Sequence, residues 1–289
     1  MDSNFFDYTL NFNWDMLPVD RSFDPIKVQE YLSLMNEPDS SFIQELLSKT
    51  TYIRYEEFKQ ALFQSFDLFR KSIGQEGFYL MLPSDKIGSE HWITALLWPS
   101  LRTMNLAQVI DEKSPIILNG ITNILFIDDA IYSGQNTINK INAITFNGAV
   151  INKEINFMEI GKYLKFHVVT PFITTYGTNV ILNVCKERNT QCIIYGIYQL
   201  PTLPNLMNIN KYYSGNNKSL LSERFNIFSI DMPAVYFDHK VAGPVSTFVN
   251  IYINGRLPNG TSFGSLLKVN TSRYKIEELA NLYKDWLNF

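Results

Sequence analysis

The sequence predicts an α/β protein built on a parallel sheet. Three observations predict it. Three strand, loop and helix units follow one another between Phe78 and Arg188, their strands are short continuous apolar runs such as Ile124-Leu125-Phe126-Ile127, and a further run from Cys192 to Ile197 closes the series. Strands that alternate with helices pair in parallel through right-handed crossovers, and strands buried on both faces carry uninterrupted apolar side chains. The expected organisation is a helical N-terminal extension over residues 1–50, an α/β core over 51–200 and a C-terminal cover over 201–289.

In chain order, Asp24-Pro25 opens a helix that reaches Leu34, and Ser40-Ser41 caps a second that reaches Leu47. Phe58, Leu62, Phe63, Phe66 and Phe69 recur at helical spacing between Tyr55 and Ile73, with Gly74 as the stop, so this helix is expected to lie on the sheet. The first unit is a strand over 78–82, a loop over 83–89 and a helix over 90–104. The second is a strand over 124–127, an acidic and small-residue loop, and a helix over 136–144. The third is a strand over 166–173, a loop over 174–178 and a helix over 179–188. Residues 200–226 carry proline, glycine and asparagine punctuation and are expected to be loop. A hydrophobic segment over 233–237 then meets Asp238-His239-Lys240, and an amphipathic helix over 274–287 follows. No internal repeat is visible.

Hydrophobic residues make up 46% of the 289 and charged residues 18%, a balance that provides for a well-filled core. The formal net charge of −3 leaves no basic footprint for non-specific nucleic-acid binding, so anionic substrates must be held by local devices. Two cysteines, Cys185 and Cys192, are too few for a disulfide framework or a zinc site and suggest a reducing compartment. The first residues lack the basic and apolar regions of a secretory signal, and no apolar stretch approaches the about 18 residues that a membrane span requires. A cytoplasmic protein is expected.

The most informative segment is Ile124 to Thr137. An apolar strand ends in Asp128-Asp129, and Tyr132-Ser133-Gly134-Gln135-Asn136 leads into a helix. Ligands of open α/β sheets bind beyond the carboxyl ends of the strands, and a small-residue loop at a helix start offers backbone N–H groups to an anion. Two carboxylates beside a phosphate would repel it unless they held something else. A ribose fits, because its vicinal hydroxyls are donors that carboxylates accept while its 5′-phosphate lies in the loop. Other readings are weaker. No G-x-x-x-x-G-K-[ST] occurs, which removes a P-loop NTPase, and a haloacid-type phosphatase needs Asp-x-Asp. Strand, acidic turn and helix cap also occur together for structural reasons alone.

This segment resembles the phosphoribosyl-pyrophosphate motif of the type I phosphoribosyltransferases: four apolar residues, two acids, three residues, Thr or Ser, Gly, any residue, Thr. Ser133-Gly134 falls in register. Asn136 stands at the final Thr and Thr137 comes one residue late, so an amide replaces that hydroxyl or a shifted turn supplies it. Tyr132 stands where the hypoxanthine-guanine enzymes carry an Asp, which argues against that subclass. Tyr55-Glu56-Glu57 matches the start of a helix that commonly precedes the family's first core strand.

The resemblance implies an enzyme that uses Mg2+ and phosphoribosyl pyrophosphate, with release of pyrophosphate, to load a nucleobase-like acceptor. Asp128 and Asp129 are then expected to hold the ribose and, directly or through water, the metal. Residues Ser133, Gly134, Gln135, Asn136 and Thr137 are expected to hold the 5′-phosphate. Lys86 and the backbone around Gly88 and Ser89 are expected at the pyrophosphate, and Asp238 and Lys240, with His239 between them, at the base. His91 is read as capping or solvent-facing, and His167 as a satisfied core histidine. The expected partners are small molecules, with neither nucleic acid nor membrane, and the reading leaves room for a homodimer. Two other classes stay open: a catalytically inactive regulatory module that binds nucleotide or phosphoribosyl pyrophosphate, and an interaction protein on a decayed fold.

Overall fold

The computed structural model of the chain describes residues 24–35, 37–83, 89–111, 121–144, 163–212, 233 and 235–237. Helix α1, Pro25–Ser33, starts where the Asp24 carboxylate accepts the Ile26 amide at 3.0 Å, with proline at a position that needs no amide donor. Helix α2, Asp39–Lys49, starts behind Pro38. Ser40 and Ser41 do not cap it as expected. Their hydroxyls donate to Glu37 Oε1 at 3.0 and 2.7 Å. Strand β1, Thr51–Ile53, is followed by α3, Tyr55–Ile73, which stops at Gly74 with φ of 58°, a left-handed conformation that glycine adopts without a Cβ clash. Phe58, Leu62, Phe66 and Phe69 of α3 are buried, but Phe63 is 38% exposed, because it falls one position outside the stripe that the others define.

Next come β2 (Phe78–Met81), α4 (Ser89–Leu101), β3 (Leu106–Ile110), β4 (Asn123–Ile127), β5 (Ala130–Ile131), α5 (Gln135–Asn142), β6 (Lys165–Val169), β7 (Phe172–Ile173), α6 (Thr175–Glu187), β8 (Gln191–Tyr195) and β9 (Tyr198–Gln199). Several bounds differ from the sequence reading. The third unit's strand breaks at Thr170-Pro171 into β6 and the short β7. Its helix starts four residues early because Thr174 caps it, the Thr174 hydroxyl accepting the Gly177 amide at 3.0 Å. Strand β3 was not expected; its central residues Ala107 and Gln108 are exposed, as befits an edge strand that carries no apolar run. The stretch after Leu200 is not all loop, since it holds α7, Leu203–Leu206, and a 3₁₀ turn at Ile209–Lys211. Strand β10, Val235–Phe237, completes the described elements.

The chain divides into two compact units. Among the described residues one holds 59–199 and the other 24–58 with 200–212, 233 and 235–237, so that α3 crosses the division. In the second unit β1 and β10 pair in parallel, Thr51 opposite Val235, and Phe42 meets the Tyr212 ring edge-on at 5.8 Å. The first unit carries a five-stranded parallel sheet in the order β3-β2-β4-β6-β8. Beyond its carboxyl edge β5, β7 and β9 form a smaller parallel sheet.

Side chains alternate across the large sheet. Tyr79, Met81, Ile124, Phe126, Phe166 and Val168 form one cluster with Ile138 and Ile141 of α5 and with Ile181 and Cys185 of α6. On the opposite face Phe69 of α3 meets Phe78, His167 and Tyr195 with ring centroids 5.3, 5.4 and 5.7 Å away. Burying each such aromatic stabilises the fold by about 1.5–3 kcal/mol, which makes these two apolar layers the main source of cohesion.

His167 is indeed satisfied in the core. Its Nε2 donates to Asn123 Oδ1 at 3.1 Å, and its Nδ1 is hydrogen-bonded to the Tyr195 hydroxyl at 2.8 Å. Asn123 in turn donates to Glu76 Oε2 and to the Gly77 carbonyl, so each member of the buried chain is paired. Burial, helped by the Lys165 charge and opposed by that of Glu76, lowers the His167 pKa to about 4. No helix among the described residues is long and apolar enough to cross a membrane.

Candidate functional site

In a doubly wound sheet the ligand crevice forms where strand order reverses. Here the reversal falls between β2 and β4, because β3 lies outside β2 while β6 and β8 extend the other side. Asp128 and Asp129 follow β4 at that point.

Both aspartates are buried, 5% and 1% exposed, although they are charged residues at a strand end. The Asp128 amide donates to the Val169 carbonyl at 3.0 Å, which extends the β4–β6 ladder by one rung and fixes the backbone. Each carboxylate then accepts the next amide through Oδ1: Asp129 N–H to Asp128 and Ala130 N–H to Asp129, both at 2.9 Å. These bonds set the carboxylate planes before any ligand arrives. Ser89, the first residue of α4, donates its hydroxyl to Asp128 Oδ1 at 3.4 Å, so the helix after β2 touches the acids after β4.

The 133–137 turn is shaped by glycine. Gly134 caps α5 with φ of 77°, and a Cβ there would lie 2.7 Å from the Gly177 carbonyl oxygen and 2.8 Å from Ile181 Cγ1. Only glycine accepts that conformation and that neighbour together. Thr174 fastens the other side of the turn: its amide donates to the Ile131 carbonyl at 2.9 Å and its hydroxyl to the Tyr132 carbonyl. No side chain caps α5, and the Gln135 amide reaches only Ser133 Oγ at 3.4 Å. Helix-start amides of this kind suit an anion. Asp128 and residues 130–137 line a cavity of about 110 Å³, several times the roughly 10–15 Å³ that a single water needs by a comparable measure. Ser133, Gln135 and Asn136 are exposed, whereas Thr137 is buried within the lining.

Tyr132 lies beside the acids. Burial and the charges of Asp129 and Asp128 hold its phenol well above the ordinary range, so it is a neutral group here. His91 is neither solvent-facing nor a cap. It is 2% exposed, and its Nε2 donates to the Pro83 carbonyl at 2.9 Å, joining residues that flank the 84–88 segment. Lys86, Gly88, Asp238, His239 and Lys240, together with the helix expected over 274–287, lie outside the described residues.

The structure therefore brings Ser89, Asp128, Asp129 and the 133–137 turn together. Sequence reasoning missed Thr174, Gly177 and the pair Glu90 and Lys140, whose Oε1 and Nζ are 2.9 Å apart. The Thr174-Thr175-Tyr176-Gly177 run carried a usable helix-start signal; the ion pair had none, since 50 residues separate its members.

The fold and the geometry at the switch point define a protein of phosphoribosyltransferase type. The chain belongs to the PRTase-CE family, whose model matches residues 34–243, most of its length. The reaction class of such a domain is phosphoribosyl transfer, a transferase chemistry. No curated protein matches the chain at a significant level.

Proposed function

We propose that the protein transfers a phosphoribosyl group from phosphoribosyl pyrophosphate to a nucleobase-like acceptor with Mg2+ and release of pyrophosphate. The observation that carries this reading is the pair of buried, amide-oriented carboxylates of Asp128 and Asp129 beside the glycine-started turn. Asp128 and Asp129 accept the ribose hydroxyls, and their charge stabilises the positive charge that grows on the sugar as the C1–O bond breaks. Ser133, Gly134, Gln135, Asn136 and Thr137 hold the 5′-phosphate. Lys86, Gly88 and Ser89 receive the pyrophosphate, and Asp238 and Lys240 contact the base.

The donor set fits magnesium. Asp128 and Asp129 offer two adjacent, buried carboxylates beside the 133–137 turn, and magnesium is commonly held by one or two carboxylates together with substrate oxygens. Bound magnesium supplies Lewis-acid neutralisation of the leaving pyrophosphate. Burial and the charges of Asp129 and Asp128 keep Tyr132 protonated, so its phenol does not serve as a base.

Asn136 favours a second reading, a regulatory module that binds the same ligand without turnover, because an amide there lacks the hydroxyl of the family motif. Pyrophosphate release from phosphoribosyl pyrophosphate, measured with Mg2+ and a panel of bases, separates the two. Release that disappears in Asp128→Asn with Asp129→Asn supports the enzyme. Tight binding without release for any base supports the regulatory module.

A further inference from the structure

We propose that Glu90 and Lys140 are positioning residues that fix the distance between the start of α4 and the 133–137 turn, and thereby select ligands carrying an anionic group at both ends of a ribose. The proposal rests on the phosphoribosyl pyrophosphate reading above. The Lys140 and Glu90 side chains are 8% and 11% exposed and meet at 2.9 Å. Taking two charges out of water is unfavourable, and well-packed apolar residues often serve stability as well, so fixing an arrangement is the better-attested use of such a pair.

Its placement says which arrangement is fixed. Glu90 follows Ser89, whose hydroxyl reaches Asp128, and precedes His91, which holds Pro83. Lys140 lies one helical turn after Thr137 of the cavity lining. The ion pair therefore joins the helix after β2 to the helix after β4 across the point where strand order reverses.

A ligand that spans both turns senses their separation, whereas ribose 5-phosphate engages one. Dissociation constants of the full chain for magnesium phosphoribosyl pyrophosphate and for ribose 5-phosphate, measured by calorimetry, separate positioning from a merely structural role. Lys140→Met is expected to weaken the first by about tenfold or more while the second stays within about threefold. Glu90→Gln, which keeps a neutral acceptor for Lys140, is expected to raise the ratio of the two constants by about threefold. Equal losses for both ligands, or no loss for either, overturn the proposal. Should Lys140→Met fail to fold, the Glu90→Gln ratio decides, an unchanged ratio counting against the pair. A wild-type chain that binds neither ligand removes the phosphoribosyl reading itself, an outcome distinct from a failure in the variants.

Discussion

Gly134 and Gly177 interlock. A Cβ on the first would stand 2.7 Å from the carbonyl oxygen of the second, and a Cβ on Gly177 would run into the Tyr132 carbonyl and lie 2.7 Å from Ile131 Cγ2. The 133–137 turn and the start of α6 approach this closely only because neither residue carries a side chain, so the shape of the turn depends on a helix that follows a different strand.

Gly134→Ala is therefore expected to lower stability by about 1–3 kcal/mol through backbone strain, with the steric contact adding to that. Gly74→Ala provides the control. Gly74 also has positive φ, 58°, but a Cβ there would meet nothing within 4 Å. Thermal unfolding of both variants should show the larger loss at Gly134, and equal losses would mean that the packing against Gly177 contributes nothing.

Asparagine at Asp128 and Asp129 retains an oxygen for the following amide but removes the charge. Asp129→Asn alone is expected to lower kcat by about 10²–10³, the usual effect of deleting one electrostatic stabiliser of a transition state. Unfolding temperature should change little. A variant that turns over at the wild-type rate would remove the carboxylate from the chemistry.

Tyr132→Phe tests the phenol. Because burial and the neighbouring carboxylates keep Tyr132 protonated well above the ordinary tyrosine range, no limb of the pH–rate profile below pH of about 10 should arise from it. The profile of Tyr132→Phe should keep its shape even if its height falls. A basic limb that vanishes with the hydroxyl would assign Tyr132 a proton-transfer role.

His167 makes stability depend on pH in a defined direction. Its folded pKa of about 4 lies below the ordinary value of 6.5, so the unfolded chain takes up the proton first as pH falls. The stability it contributes is fully present above pH 6.5 and is lost between pH 6.5 and 4, on the order of 3 kcal/mol in total. Chemical denaturation across that window should show a steeper loss in the wild type than in His167→Gln, and parallel curves would contradict the assignment.

Much of this was legible in the sequence because the relevant signals are local. The apolar run at 124–127 and the helical stripe of α3 announce themselves by period, and Asp128-Asp129 with Ser133-Gly134 marks the candidate site within about ten consecutive positions. What escaped has a common physical cause. Strand β3 is an edge strand whose apolar residues are interrupted by Gln108, so it lacks the apolar continuity of its neighbours. The start of α6 was hidden by threonines that read as loop until Thr174 is seen as a cap. Phe63 shows the limit of counting, because a residue one step off the stripe looks identical in composition and faces solvent. The Glu90–Lys140 link is a product of topology alone, since nothing in either neighbourhood calls for the other residue.

One titration tests the carboxylate pair: phosphoribosyl pyrophosphate with Mg2+ against the full chain and against Asp128→Asn with Asp129→Asn, followed by calorimetry. Saturable one-to-one binding by the wild-type chain, weakened about tenfold or more in the variant, is the predicted result. Absence of binding by the wild type, or affinity that survives loss of both charges, would contradict it.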